Sequence, residues 1–160
     1  MLVLFNHFAR GLSKEIWIRT GTAKKYFVAV HVITLPRNIQ RNLPAFHVLT
    51  GCDTVSQFRG HCKKSSWKVF KMHAELLNDF SHGTLTEETY KHVEEFICRL
   101  YSPGTNDTAI NDLRFKVFQK GAKALESLPT PKKSLQQHIR RSHYQSKVKC
   151  THISIFCSFA

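Results

Sequence analysis

The sequence predicts an α/β chain, with a strand-rich first third followed by helices. Two observations carry that expectation. Residues 26–33 (YFVAVHVI) are β-branched and aromatic on both faces, as in a strand buried on both sides. From Lys63 onward the apolar residues recur instead at three- and four-residue steps, which is the period of a helix.

Taken in order, residues 2–5 and 16–18 are short apolar runs that read as strands, and Thr20-Gly21-Thr22 reads as a turn. Leu35-Pro36 ends the strand at 26–33, because proline has no amide to give to a ladder. An apolar segment then leads into a tight turn, Thr50-Gly51-Cys52-Asp53-Thr54. The first helix after it carries Trp67, Phe70, Ala74 and Leu77 on one face. A second starts at Thr86 as cap, with Glu87 and Glu88 in the first turn where the dipole favours anions, and Pro103-Gly104 stops it. A third runs from about Thr108 through Ile110, Leu113, Val117 and Phe118 to Gly121. A fourth has Thr130 as cap and Pro131 at its first position, and continues through Leu135 and Ile139. The expected division is 1–62 as an α/β core, 63–148 as a helical region and 149–160 as an atypical tail. Met1 opens directly into apparent strand, so the domain is expected to begin upstream.

The 160 residues suffice for one buried core, and 42% hydrophobic residues with 11% aromatics argue for folding rather than disorder. The formal charge of +13, from 24 Lys+Arg against 11 Asp+Glu, favours polyanionic partners, nucleic acid first. Its distribution is sharper than its total. Before Asp53 the only acid is Glu15, and after Asp53 the next is Glu75. Between those two lie Arg59, Lys63, Lys64, Lys68 and Lys71; a second basic run follows at Lys132, Lys133, Arg140, Arg141, Lys147 and Lys149. The five cysteines are odd in number and follow no signal peptide, and no segment approaches the roughly 20 apolar residues of a membrane span. The expectation is a reduced, intracellular protein with no membrane partner, its compartment (nucleus or cytoplasm) left open.

Asp53 is the residue singled out for chemistry. A carboxylate at a glycine turn in a basic surround suits a Mg²⁺ ligand of a phosphodiester-cleaving site, although such a site needs several converging acids. An aspartate there can equally cap its own turn or the next helix. Residues 60–66 (GHCKKSS) could present amides and lysines to a phosphate at a helix start, or be an ordinary capped loop. His138 and His143 have the spacing of half a zinc finger, but no C-x2–4-C partner lies upstream, so an exposed basic helix is the expectation. His47, between Phe46 and Val48, reads as a buried hydrogen-bonded residue rather than a ligand. Cys52 beside Asp53 is expected to be a poor nucleophile, since the neighbouring carboxylate raises a thiol pKa.

The block at residues 43–60 (LPAFHVLTGCDTVSQFRG) resembles a segment of a large animal family whose members are similar to PIN-like nucleases of the flap-endonuclease and XPG type. Residues 16–22 before it, and Leu128-Pro129-Thr130, His138, Arg141, Tyr144 and Gln145 after it, extend the resemblance over roughly residues 1–148. The resemblance implies a partial PIN-like parallel sheet followed by a helical region. It implies that Asp53 is a late metal-binding aspartate holding Mg²⁺ in a complete site, and that the segment from Gly60 grips duplex backbone. Cys62 stands where a second glycine is usual, and the earlier acids of such a site are missing. The chain is therefore expected to be a fragment or degenerate relative of such a nuclease, inactive alone. It is expected to bind DNA or RNA through Arg59, Lys63, Lys64, Lys68 and Lys71. The alternative is a non-catalytic protein-interaction module built on the helices from Thr86 to Tyr144.

Overall fold

The structure is a computed structural model that describes residues 18–22, 25–29, 36–80, 83–121 and 125–157. The first element among the described residues is an antiparallel hairpin, β1 (Ile18–Thr22) and β2 (Lys25–Ala29), with Ile18 opposite Ala29 and Thr22 opposite Lys25. Among the described residues five α-helices follow: α1 (Arg37–Leu49), α2 (Lys63–Met72), α3 (Glu87–Tyr101), α4 (Ile110–Gln119) and α5 (Lys132–Cys157).

The expected partial PIN-like parallel sheet is overturned. Among the described residues the strands pair only antiparallel, and residues 37–49, inside the expected α/β core, are helical. Parallel neighbours need a long crossover between them, whereas β1 and β2 follow one another directly. Thr20-Gly21-Thr22 is not the turn but the end of β1, where Gly21 faces Tyr26. The apolar run that reads as strand at 26–33 is strand only to Ala29 within the described residues; 2–5, 16–17 and 30–33 lie outside them.

The helical signal in α1 was present but masked by its proline. Ile39, Leu43, Phe46 and Leu49 recur at three- and four-residue steps, and all are buried. Pro44 sits among them, and a proline lacks the amide for the intrahelical bond and crowds the preceding turn. The helix runs through it because Pro44 and its neighbours Leu43 and Ala45 are buried against the rest of the molecule.

The core runs across residue 62 without a seam. Phe46 of α1 stacks on Phe70 of α2 at 4.5 Å between ring centroids, and Trp67 meets Phe46 edge-on at 5.6 Å. Phe80, Phe96, Ile97, Ile110, Leu135 and Ile139 complete the same cluster. The stripe Trp67, Phe70, Ala74, Leu77 faces inward as its spacing predicts, but α2 stops at Met72 and a 3-10 turn at Ala74–Leu77 carries the last two.

The other helix ends explain the packing order. Thr86 caps α3, its hydroxyl accepting from the Thr89 amide at 3.1 Å. Glu94 of α3 is buried; it accepts from the Ile110 amide at the start of α4 (2.9 Å) and lies 3.3 Å from the Lys132 ammonium at the start of α5. Asn111 accepts from the Lys132 amide at 3.2 Å, so α4 supplies the first turn of α5 with an acceptor. The Pro131 carbonyl accepts from Leu135, so α5 opens one residue later than its proline suggests.

Candidate functional site

The site grows from the C-terminal end of α1. The last four carbonyls of a helix have no intrahelical donor, and here each is met from a different place. Phe46 O accepts from the Thr50 amide (3.1 Å) and hydroxyl (2.6 Å). His47 O accepts from the Lys63 ammonium at 2.5 Å, which also donates to the Thr50 hydroxyl at 2.8 Å. Val48 O accepts from the Gly51 amide at 3.2 Å. Leu49 O accepts from Nε2 of His138, 89 residues away, at 2.8 Å.

Gly51 is the residue that makes this end turn back. Its φ of +97° lies in the left-handed region, and a Cβ there would sit 2.6 Å from Gln57 Cβ and 2.8 Å from the Gln57 amide nitrogen. With the chain reversed, Cys52 and Val55 pair across a tight turn, Cys52 donating to Val55 O at 2.8 Å and Val55 back to Cys52 O at 3.3 Å. Asp53 and Thr54 are the exposed tip. Asp53 thus belongs to its own turn; α2 begins ten residues later, with Cys62 at its cap position.

Reversal also brings three chemically distinct ligands together. His47 in the last turn of α1, Cys52 and Asp53 each place one ligand atom within 4.8 Å of the others. His47 and Cys52 are half-buried and Asp53 is exposed. It is the one such grouping of three among the described residues. The donor set does not fit the Mg²⁺ expected from Asp53. Magnesium takes hard oxygen ligands in octahedral geometry, and the partners beside this carboxylate are an imidazole and a thiol.

The expected phosphate segment is largely committed to holding α2. Ser65 and Ser66 turn their hydroxyls onto the Cys62 carbonyl at 2.9 and 3.0 Å. The His61 ring meets Tyr101 edge-on at 4.4 Å, and burial pushes its pKa down. The Cys62 thiol is exposed; the Ser65 amide, then the Ser65 hydroxyl, hold its pKa below the usual value.

Of the expected basic residues, Lys63 is the helix-end donor just described, with its ammonium also 5.5 Å over the Phe46 ring. Arg59 is exposed on the loop between Phe58 and Gly60. Lys64, Lys68 and Lys71 are exposed and lie four and three residues apart, so they form a single stripe along α2, opposite buried Ser66, Val69 and Phe70. None of the three enters a salt bridge among the described residues.

His138 and His143 are not the exposed pair expected of α5. Both are buried. His138 packs at 4.6 Å on the Phe58 ring, and His143 donates from Nδ1 to Phe80 O at 2.6 Å. Since a carbonyl only accepts, each ring nitrogen named here carries a proton, and the two imidazoles serve different carbonyls rather than one ion. Burial holds the His138 pKa below its ordinary value, against the opposing pull of the Leu49 carbonyl. Sequence reasoning missed this role because a partner 89 or 63 residues away leaves no local pattern.

Among the described residues no helix is long and apolar enough to cross a membrane. Scans of protein-family models, of curated proteins and of solved structures find nothing that matches this chain.

Proposed function

We propose that the chain is a nucleic-acid-binding module that grips phosphates through the exposed face of α2. The observation that carries this reading is the stripe Lys64, Lys68, Lys71, about 10 Å long at 1.5 Å per residue, with Arg59 on the loop before it. No acid occurs between Asp53 and Glu75 to neutralise that face locally. Three lysines in a row, exposed and outside the core, suit a polyanion's backbone better than they suit folding. The reading stops at binding. A Mg²⁺-dependent cut needs converging carboxylates, and the partners grouped with Asp53 are His47 and Cys52.

The test is the salt dependence of binding to labelled duplex and single-stranded DNA and RNA, followed by anisotropy. Each phosphate contact to duplex DNA contributes about −0.9 to the slope of log K against log salt. Replacing Lys64, Lys68 and Lys71 with Gln should therefore flatten the slope by about 2.7. A slope unchanged by the triple substitution, or binding insensitive to salt, overturns the proposal.

A second reading, the protein-interaction module, is favoured by Phe115 and Phe118. These rings lie three residues apart on α4 and are 60% and 57% exposed. A protein partner held through them, and not displaced by nucleic acid, would favour that reading.

A further inference from the structure

We propose that His47, Cys52 and Asp53 form a site for one zinc ion, held at the reversed end of α1 by imidazole nitrogen, thiolate sulfur and carboxylate oxygen. The three ligand atoms lie within 4.8 Å of one another. Tetrahedral zinc, with bonds of about 2.0–2.3 Å, sets its ligands about 3.3–3.8 Å apart. Closure therefore asks the ligand atoms to draw together by about 1 Å.

The backbone is already fixed from several sides. Lys63 holds the carbonyl of His47 itself, and His138 holds that of Leu49. The left-handed Gly51, closely approached by Gln57, sets the direction of Cys52 and Asp53. The paired amide and carbonyl of Cys52 and Val55 fix the position of the sulfur's own residue. Thr54 supplies the outer partner that metal-bound thiolates use: its hydroxyl lies 3.4 Å from Cys52 Sγ and can donate to it.

The chemistry of the set selects the ion. A thiolate and an imidazole favour zinc over the hard ions magnesium and calcium. Binding exchanges the Cys52 thiol proton for the metal, and the thiolate and the carboxylate together neutralise a dication beside a neutral imidazole. Three protein ligands leave a fourth position, and the exposed side at Asp53 opens it to water, as in zinc sites that bind a small ligand rather than purely structural ones. The site does not depend on the polyanion reading, since it shares no residue with the α2 stripe.

Cobalt reports on it directly. The purified full chain, reduced and stripped with chelator, is titrated with Co²⁺ and then Zn²⁺ in the absence of nucleic acid. One Co²⁺ per chain should give a thiolate-to-metal charge-transfer band and the intense visible bands of four-coordination, both bleached by one equivalent of Zn²⁺ and unaffected by excess Mg²⁺. Cys52→Ser should remove the charge-transfer band. Asp53→Asn, at an exposed position, should weaken Zn²⁺ by about 100-fold or more with an unchanged far-ultraviolet spectrum. Cys62→Ser should change neither. Absence of the band, or a band that survives Cys52→Ser and vanishes with Cys62→Ser, overturns the site. Neither result bears on the salt slope of nucleic-acid binding, so the two proposals fail separately.

Discussion

α2 and α5 both carry exposed lysines or arginines, but only α5 also buries basic side chains, its histidines. Along α5 Lys133, Arg140 and Arg141 are exposed, while His138 and His143 are buried on the carbonyls of Leu49 and Phe80, and Lys132 lies at the buried carboxylate of Glu94. Along α2 only Lys63 turns back to the fold, while Lys64, Lys68 and Lys71 stay in water. The difference comes from neighbours rather than composition. The histidines of α5 meet the carbonyls of Leu49 and Phe80, while Lys64, Lys68 and Lys71 of α2 face solvent. A basic helix is thus no single signal; whether its charge is structural depends on which carbonyls lie across from it.

The contrast can be broken most sharply at His138. Removing the ring by His138→Ala takes away its packing on Phe58 and leaves the buried Leu49 carbonyl without its donor. The expected cost is about 3 kcal/mol in urea unfolding. Lys68→Ala, on the outer face of α2, should stay within about 0.5 kcal/mol. Comparable losses at the two positions would end the distinction.

Gly51 is where the two helices meet the same end of α1, and Gly51→Ala should cost about 2–3 kcal/mol. Both the left-handed backbone and the close approach of Gln57 oppose a side chain there. Gly60 has a φ of +79° but nothing within 4 Å of a Cβ. Gly60→Ala should therefore cost only the backbone part, about 1–2 kcal/mol.

The inward histidines also set a pH dependence that the outward lysines do not. Burial depresses the pKa of both His138 and His61 from 6.5. The unfolded chain then takes up protons near pH 6.5 that the folded chain refuses. Their contribution is fully present above that value and lost as the pH falls below it, by up to about 1.4 kcal/mol per pH unit for His138 and by less for the more exposed His61. Urea midpoints at pH 7.5 and 5.5 should show the fall, and His138→Ala should reduce it. Asp107 acts in the same direction at lower pH: Lys116, and then Thr105, hold its carboxyl below the usual carboxylate value, so its contribution is lost only at more acidic pH, outside that window.

The smallest stability effect and the largest binding effect should coincide. Lys64, Lys68 and Lys71 changed together to Gln are expected to shift unfolding by less than about 1 kcal/mol while flattening the salt slope of nucleic-acid binding. A large loss of stability would show that the stripe belongs to the fold after all.

Local patterns were legible where they depended on nearest neighbours along the chain. Thr86 with its two following glutamates marked the start of α3, and Pro103-Gly104 marked its end, because capping and termination act within one turn. The inward stripe from Trp67 to Leu77 was legible too, though not the break after Met72 that lets its last two members sit on a 3-10 turn. Pro44 hid α1, because a proline inside a helix is a local contradiction that only burial around it resolves. Asp53 was legible as an unusual acid at a glycine turn. That His47 stands with it was not, because only the reversal at Gly51 brings a helix residue to the tip of the following turn.

By itself, then, the sequence determined the start and end of α3, the inward stripe from Trp67 to Leu77 and the basic bias between Asp53 and Glu75, since these arise from spacing and composition alone. The tertiary structure decided that, among the described residues of the first third, an antiparallel hairpin and a helix stand in place of a parallel sheet. It also decided that His138 and His143 are buried donors and that Lys63 parts company from its three neighbours. Each of these depends on which carbonyl or ring lies across space, and His138 finds Leu49 at a separation of 89 residues that no pattern of neighbours records.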